Sequence, residues 1–500
     1  MNARLLILGL WASLLVGALT WPFFAAGELA WRDMLVLDSP ALSPSAFGFG
    51  DLPARNAPQD GVLAILGVLF PASWIVRVLL IGGAAAAAYA GALLAHERSA
   101  SLPAQLTAMT IAVANPFVVE RLLQGQWSLV LAAWLLPVIV ALRTRLVWAL
   151  VAVLLSSLTP TGALFATLTA LFVVRDWRSR VLTLVVAGLA SLPWLVPSLQ
   201  DIPHAATSSY FAFGPRAETY VSTLGSLLGL GGIWNGQAVP ASRSAGFAIF
   251  GVVLFAVLWL GRRAVPRAVL ALAVLGLGGA LVGWLAPELL SAVDPGMLRD
   301  SQKLVMLAIP AYCCAAAGVP RLWAYLAFLC AVLQVVDAPA EVSVLAPREV
   351  TGGLDQDLLQ RADGRTVFLP DAPTVVSAPG WVSINPYTKA LPVVYSGQLE
   401  VDGALVDKPS RRYILAQQAW EAGDHERLRN LGIGVVYVDG VITETGAGPE
   451  PVPWGWHAGW FAAWLLVLWW QLRNRKAGRA RKTRKTRRAQ KTRKAEKTRR

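Results

Sequence analysis

Apolar runs alternate with short polar segments along most of this 500-residue chain. Many of the runs approach the roughly 20 residues that a helix needs to cross the hydrocarbon core of a bilayer. They predict about twelve crossings, two of them within the fifth run, at 5–24, 74–95, 106–119, 128–142, 146–174, 181–199, 245–260, 268–285, 304–319, 322–336 and 454–472. The pattern therefore predicts an α-helical polytopic membrane protein. We expect the first run to remain as an anchor rather than to be a cleaved signal peptide.

Basic residues give these crossings a direction, because Lys and Arg are enriched in cytoplasmic loops. Arg4 precedes the first run, Arg143 and Arg145 follow the fourth, and Arg262 and Arg321 follow later ones. If the crossings alternate in direction, every inner loop is basic. We expect a multi-pass protein of the plasma (inner) membrane with both termini in the cytoplasm.

The run 146–174 has basic residues at both ends, so a single crossing would break the charge rule. It also contains Pro160 and Gly162 near its middle. We expect two short helices that turn here, as a thinned or re-entrant pair.

The polar segment 338–453 predicts a separate extracytoplasmic module. Residues 365–369 and 434–438 are short β-rich runs bounded by turn residues, and 411–431 has a helical composition. A small α/β domain is expected, with no phosphate-binding loop and no nucleophile elbow in its sequence. The predicted order is a membrane domain at 1–337, this domain at 338–453, a last membrane helix at 454–472 and a basic tail at 473–500.

Composition agrees with the pattern and localises the charge. Hydrophobic residues make up 56% of the chain and charged residues 15%, which excludes an ordinary soluble protein. The tail 473–500 has sixteen Lys and Arg and one acid, so it accounts for all of the net charge of +14. We expect a disordered tail on anionic lipid rather than on nucleic acid.

Cysteine and histidine show no metal-ligand spacing. Cys313, Cys314 and Cys330 lie in apolar runs, and the four histidines are scattered. The sequence therefore predicts neither a disulfide framework nor a His or Cys metal site.

The first outer loop, 27–61, is the most promising place for chemistry. Asp33 and Asp38 bracket an apolar patch at 34–37 that should pack on the bundle or lie against the membrane. Either carboxylate could act as a general base or share a divalent cation, and the alternative is a solvated loop in which Asp38 caps a turn. The polar and charged residues of this loop are Glu28, Arg32, Asp33, Asp38, Asp51, Arg55, Asn56, Gln59 and Asp60.

Two further clusters lie at the predicted outer ends of crossings. Glu120 and Arg121 could face a headgroup pocket or form an exposed ion pair. Arg299 and Lys303 run against the positive-inside trend. They could hold a lipid phosphate, or they could be snorkelling cations at a helix start.

These features resemble the GT-C glycosyltransferases, and within them the N-terminal membrane part of the large actinobacterial arabinofuranosyltransferases. The resemblance combines an acid-bearing first outer loop, many crossings and a late outer globular part. The segments that carry it are Arg32-Asp33 through Asp38-Ser39-Pro40, Gly48-Phe49-Gly50, Asn56-Ala57-Pro58-Gln59, Asn115-Pro116 and Ser157-Leu158-Thr159-Pro160.

The resemblance implies a polyprenyl-phosphate sugar donor and an acidic base in the first outer loop, Asp33 before Asp38. Arg299 and Lys303 would then stabilise the leaving phosphate. Substrate contacts are expected from Arg55, Asn56, Gln59, Glu120 and Arg121. Because members of this superfamily use divalent cations, a Mg or Mn ion is compatible with this assignment.

The resulting hypothesis is a membrane glycosyltransferase that adds a sugar of the arabinofuranose or mannose class to a cell-envelope glycan at the extracytoplasmic face. Envelope-synthesis proteins would be its partners. The alternatives are a catalytically inactive GT-C-like scaffold of an envelope-biogenesis complex and a transporter of lipid-linked glycans. The near absence of charge in the middle of the apolar runs argues against the transporter.

Overall fold

Apolar helices form most of the structure, a computed structural model that describes residues 3–200, 207–293, 296–401 and 403–474. Seven of its helical segments are long and apolar enough to cross a membrane. They are Ala3–Phe24, Ala72–His96, Leu102–Leu123, Trp177–Gln200, Arg243–Leu260, Arg267–Leu285 and Arg321–Leu345. The predicted basic tail lies outside the described residues from position 475 onward.

Shorter apolar segments complete the bundle. Three of them are Trp127–Ala141, Leu146–Ser156 and Pro160–Val173, and the residues 457–474 form another helix. The last two of the three are the predicted pair that turns before Pro160, which starts the second helix. Trp460 Nε1 donates to Ser157 Oγ at 3.0 Å, so the final helix packs against this turn.

Two predicted crossings are less regular than a uniform apolar run indicates. The segment Leu102–Leu123 consists of the helices Leu102–Val113 and Pro116–Leu123. Asn115 is extended between them, and its side chain accepts a hydrogen bond from the Val118 main-chain nitrogen. The predicted run 304–319 begins within a 3₁₀ helix, Ser301–Ala308, and continues as the α-helix Ile309–Gly318. A polar cap after Val113 and a tightened first turn are features that hydropathy does not detect.

The polar region after residue 345 contains a small α/β fold. Its sheet has the order Val441–Glu444, Ile433–Val438, Thr366–Phe368, Val393–Val394. Of the three strand pairs in this sheet, two are parallel, and both involve Thr366–Phe368. The third pair, Val441–Glu444 with Ile433–Val438, is antiparallel. Two hairpins project from it, Val375–Ala378 with Trp381–Ile384 and Leu399–Val401 with Ala404–Asp407.

Four helices accompany these strands: Gln356–Ala362, Tyr387–Ala390, Arg411–Glu421 and His425–Asn430. The predicted single helix at 411–431 is therefore two helices. The break falls at Gly423, whose φ of +68° favours glycine, and Asp424 then caps the second helix by accepting from the Arg427 nitrogen.

The first outer loop is also folded. Strands Leu29–Trp31 and Met34–Val36 form a hairpin, and Arg32 pairs in parallel with Ser383 of the α/β region. Leu35 and Leu37 pack against Val350 and Trp381. Because Met34 and Val36 on the alternate face join the main bundle core, the hairpin links the α/β region to the membrane helices. The helix Gln59–Gly67 ends this loop.

The remaining connections are short helices. The α-helical ones are Thr207–Ala212, Thr223–Leu228, Pro287–Val293 and Ala338–Glu341, and the 3₁₀ ones include Trp21–Phe24, Gly236–Ala238, Arg262–Ala264, Val342–Leu345, Thr351–Gly353 and Trp454–Trp456. The turn 231–238 matters most here, because it reaches the hairpin of the first loop.

Candidate functional site at the first outer hairpin

Arg32 and Asp33 form the two-residue turn of the first hairpin, since Trp31 pairs with Met34. Arg32 has a φ of +50°, a conformation that costs a non-glycine residue about 1–3 kcal/mol. Main-chain hydrogen bonds hold it: the Arg32 nitrogen donates to the Val382 oxygen at 2.7 Å, and the Asp33 nitrogen donates to the Gln124 oxygen at 3.2 Å. The turn is thus fixed from both sides.

Gly125 permits the turn to sit directly on the membrane bundle. Its φ is +85°, and a Cβ there would lie 2.5 Å from the Met34 nitrogen and 2.9 Å from the Asp33 nitrogen. Such distances are too short for a carbon atom. Trp31 secures the same contact by donating its indole N–H to the Leu123 oxygen at 2.7 Å.

The carboxylate of Asp33 is exposed, yet protein surrounds enough of it to desolvate the charge. The carboxylate and the groups around it, Gln124, Gln126, Arg121 and Lys303, are called the recess below. Desolvation raises the pKa of Asp33, while hydrogen bonds from Gln124 and Gln126 and the charges of Lys303 and Arg121 oppose the rise. Both amides donate to Oδ2, each at 3.2 Å. Oδ1 has no hydrogen-bond partner among the residues that the structure describes.

A cationic cluster faces this carboxylate. Arg121 is buried and donates to Asp300 Oδ2 at 2.5 Å and Oδ1 at 2.8 Å. Burial opposes ionisation of Asp300, but Arg121 and then Lys303 outweigh it, so the pKa of Asp300 lies below its ordinary value. Lys303 Nζ lies 3.7 Å from Asp300 Oδ2, and the Lys303 side chain is 22% exposed. Because 3.7 Å is too long for a hydrogen bond, the ammonium of Lys303 retains donors for an incoming anion.

Glu120 belongs to a different, fully buried cluster. It accepts from the Ile233 nitrogen at 3.0 Å and lies 3.5 Å from Arg243, which also pairs with Glu218. Neither Glu120 nor Arg121 is exposed. The prediction that these two residues contact a substrate directly does not fit this burial, and both are better described as supports of the site.

Arg299 and Arg55 share one carboxylate, that of Asp407 in the second projecting hairpin. Arg55 donates to it twice at 2.9 Å, and Arg299 donates at 2.8 and 3.2 Å. The Arg299 guanidinium also lies 4.3 Å from the Phe213 ring. The two guanidinium groups hold the pKa of Asp407 below its ordinary value against the effect of burial. Of the two cations predicted to bind phosphate, Lys303 is therefore the more available.

The other acids of the first loop connect it to neighbouring elements. Asp38 Oδ1 accepts from Ser73 Oγ at the start of the helix Ala72–His96, and Glu28 accepts from the Thr351 nitrogen at 2.7 Å. Asp60 pairs with Lys389, and Asp51 lies 3.8 Å from Arg412. Asp33 differs from them in exposure, because Glu28 is buried and Asp38, Asp51 and Asp60 are partly buried, whereas Asp33 is exposed.

The remaining predicted substrate residues are divided by exposure. Arg55 and Asn56 are exposed, whereas Gln59 is buried and its Oε1 has no hydrogen-bond partner among the described residues. Their loop contacts the α/β region through Arg55 and Asp407.

Sequence analysis missed several residues of this site. Gln124 and Gln126 stood beside Glu120, but only the fold brings them to Asp33. Asp407 is distant in sequence, and nothing in its local pattern distinguishes it. Asn235 follows a Gly-rich turn among aromatics that suit either a sugar or a membrane interface, and Asp300 lies within the cluster 299–303, but their roles beside Asp33 depend on the fold.

The donor set does not fit a divalent cation held by the protein. Within the described ranges there is no group of three or more His, Cys, Asp or Glu side chains that could hold a metal ion. Beside Asp33 lie two amides and the cations Arg121 and Lys303.

The helical bundle, the folded first loop and the late α/β region form a GT-C-like fold, in which seven helices are long and apolar enough to cross a membrane. In particular, the structure is similar to that of a mutant arabinofuranosyltransferase AftD from mycobacteria, solved by single-particle cryo-electron microscopy. The TM-score is 0.50 at 18% sequence identity, over 87% of this chain and 36% of that one. The chain thus spans little more than a third of AftD. No protein-family model matches the sequence, and no curated protein matches it either.

Proposed function

We propose that this protein transfers a sugar of the arabinofuranose or mannose class from a polyprenyl-phosphate donor to a cell-envelope glycan at the extracytoplasmic face of the plasma membrane. The observation that carries the proposal is Asp33, with Oδ1 open in a recess and the cation Lys303 facing it. The AftD-like fold supports glycosyl transfer as the type of reaction. The class of sugar is part of the proposal.

Asp33 would act as the general base of an inverting transfer. The acceptor hydroxyl oxygen attacks the anomeric carbon while its proton passes to Asp33 Oδ1. The bond from that carbon to the phosphate oxygen breaks, and the polyprenyl phosphate leaves with the electron pair. Lys303 stabilises the negative charge on the leaving phosphate.

The electrostatics of the recess support an anionic donor. Arg32, Arg121 and Lys303 contribute three positive charges around Asp33, against the two negative charges of Asp33 and Asp300. A net positive site attracts a phosphate group. It also stabilises the negative charge that develops on the phosphate as the sugar–phosphate bond breaks, because its charged groups are already in place.

The test is sugar transfer by the purified protein from a polyprenyl-phosphate arabinofuranose or mannose donor. Asp33→Asn should lower the rate by about 10²- to 10⁴-fold, the usual contribution of a general base. Asp38→Asn is the matched control, because the same change five residues away should lower transfer much less. A folded Asp33→Asn protein with full activity would remove Asp33 from the base role.

A non-catalytic scaffold is the second candidate, favoured by the occupation of Arg55 and Arg299 by Asp407. Mass spectrometry of a deletion strain separates the two functions. A polyprenyl-phosphate sugar that accumulates, together with a missing glycan residue restored by wild type and not by Asp33→Asn, supports the transferase. Equal restoration by both proteins supports the scaffold.

A further inference from the structure

Two glutamine side chains present their N–H groups to Asp33. Gln124 Nε2 and Gln126 Nε2 each lie 3.2 Å from Asp33 Oδ2. A primary amide has a donor end and an acceptor end, and rotating it by half a turn exchanges them. If either glutamine turned, its carbonyl oxygen would face the carboxylate and repel its negative charge.

Arg121 fixes the direction of Gln126. Arg121 Nη1 donates to Gln126 Oε1 at 2.9 Å, and a guanidinium has no acceptor to offer in exchange. Asp300 and Gln302 hold Arg121 in place. The oxygen end of Gln126 must therefore face Arg121, which leaves its nitrogen for Asp33.

Asn235 fixes the direction of Gln124 in the same manner, through one more step. The Gln237 main-chain nitrogen can only donate, and it donates to Asn235 Oδ1 at 3.0 Å. Asn235 must therefore direct Nδ2 outward, and Nδ2 donates to Gln124 Oε1 at 2.7 Å. Gln124 is left with its nitrogen for Asp33.

We propose that Arg121 and Asn235 are positioning residues for Asp33, which set the direction of both glutamine amides so that Asp33 stays ionised and ready to take a proton. This inference rests on the proposed function only for its catalytic consequence. The charged groups that face Asp33 are Arg32, Arg121 and Lys303, whereas the 235–237 turn contributes neutral groups. Asn235 therefore directs Gln124 without adding a charge, whereas Arg121 both directs Gln126 and adds its own positive charge beside Asp33.

Asn235→Asp tests the inference with an almost unchanged side-chain shape. The new carboxylate can still accept from the Gln237 nitrogen, but it cannot donate to Gln124. Gln124 should then turn its nitrogen toward the new acceptor and its oxygen toward Asp33. Gln126→Glu is the second variant. One oxygen of the new carboxylate can pair with Arg121, and the other then faces Asp33 in place of the amide nitrogen. Each variant should move the titration midpoint of Asp33 upward by about one pH unit or more.

The midpoint is measured in two ways: by infrared titration of the carboxyl band that Asp33→Asn removes, and by the acid limb of sugar transfer. Asn430→Asp is the matched control, because it makes the same change at an exposed position in the α/β region and should leave the midpoint where it is. Upward shifts in both measurements support the inference.

Folded variants with an unshifted Asp33 band would overturn it, whatever their activity. If the band shifts while wild-type protein transfers no sugar from either donor, the positioning role stands and the proposed function fails. The infrared measurement thus separates the two failures.

Discussion

The turn 231–238 contacts two polar clusters of opposite character. On one side Glu120, Glu218 and Arg243 are completely buried, and Arg243 Nε donates to Glu218 Oε1 at 2.6 Å. On the other side Asp33 is exposed, with amide partners and an open oxygen. A charge removed from water must be paired to be tolerated, so the first cluster has no capacity left for a ligand. Free hydrogen-bonding capacity at an exposed carboxylate, rather than the number of charges, therefore distinguishes the candidate site from the buried cluster.

Removing the cation from the buried cluster should produce the largest effect. Arg243→Leu leaves Glu120 and Glu218 buried without their counter-charge, which should cost about 3–5 kcal/mol of folding stability. Thermal unfolding in detergent measures the loss. Arg361→Leu, which breaks the exposed pair with Asp357, is the control and should change little. Equal losses in the two variants would contradict the contrast between closed and open clusters.

Moving the hairpin turn should affect activity more than stability. A methyl group in Gly125→Ala would overlap the Trp31 carbonyl and the Met34 nitrogen and displace Asp33. A displacement of about 1 Å can lower a rate by about 100-fold. Gly440→Ala is a matched control, because its φ of +81° resembles the +85° of Gly125 and a Cβ there meets nothing within 4 Å. The expected outcome is comparable backbone strain in both variants but lost transfer only in Gly125→Ala; equal transfer would rule out a tight fit.

The pH dependence of transfer should report the open carboxylate. Desolvation raises the pKa of Asp33, and the base works only when it is ionised. Transfer should therefore fall as the pH drops through a midpoint above the ordinary aspartate range, by about tenfold per unit below it. A rate profile from about pH 3 to about pH 9 checks this, because it extends below the ordinary aspartate pKa of about 3.9. An acid limb below the ordinary aspartate value would argue against Asp33 as the base.

The smallest effect is expected at Asp407, whose ion pairs with Arg55 and Arg299 connect the α/β region to the rest of the protein. Asp407→Asn weakens the paired hydrogen bonds with Arg55 and Arg299 and should cost about 1 kcal/mol. Because folding lowers the pKa of Asp407, its contribution is complete above the unfolded value of about 4 and is lost as the pH falls through the folded value. The difference in unfolding midpoint between wild type and variant should thus stay constant from neutral pH down to about pH 5. A difference that already shrinks above that pH would show that another group is titrating.

Much of the fold could be predicted because membrane helices follow from local composition. The apolar runs located the spanning segments, and Pro160 correctly separated two short helices. The break at Asn115 and the 3₁₀ start of Ser301–Ala308 were missed, because both depend on hydrogen bonds rather than on hydropathy. Gly423 divided the predicted helix at 411–431 for a similar local reason.

The candidate site was predictable only in part. The residues alone left both Asp33 and Asp38 as candidates in the acidic loop, and the resemblance placed Asp33 before Asp38. Their difference arises from partners far along the chain: Ser73 binds the carboxylate of Asp38, whereas Gln124 and Gln126 reach Asp33. Arg121 was predicted as a substrate contact because its charge was visible and its burial was not.

The sequence by itself determined that the chain is a bundle of apolar helices of membrane-spanning length joined by polar segments, because burial in lipid requires apolar runs whose length can be read directly. It also determined which polar segments hold acids and cations. Only the tertiary structure decided which of those charges neutralise one another. Ion pairs such as Arg121 with Asp300 and Arg299 with Asp407 join residues more than a hundred positions apart, and contacts of that range have no local signature. After those pairings, Asp33 is left exposed with neutral amides as its hydrogen-bond donors.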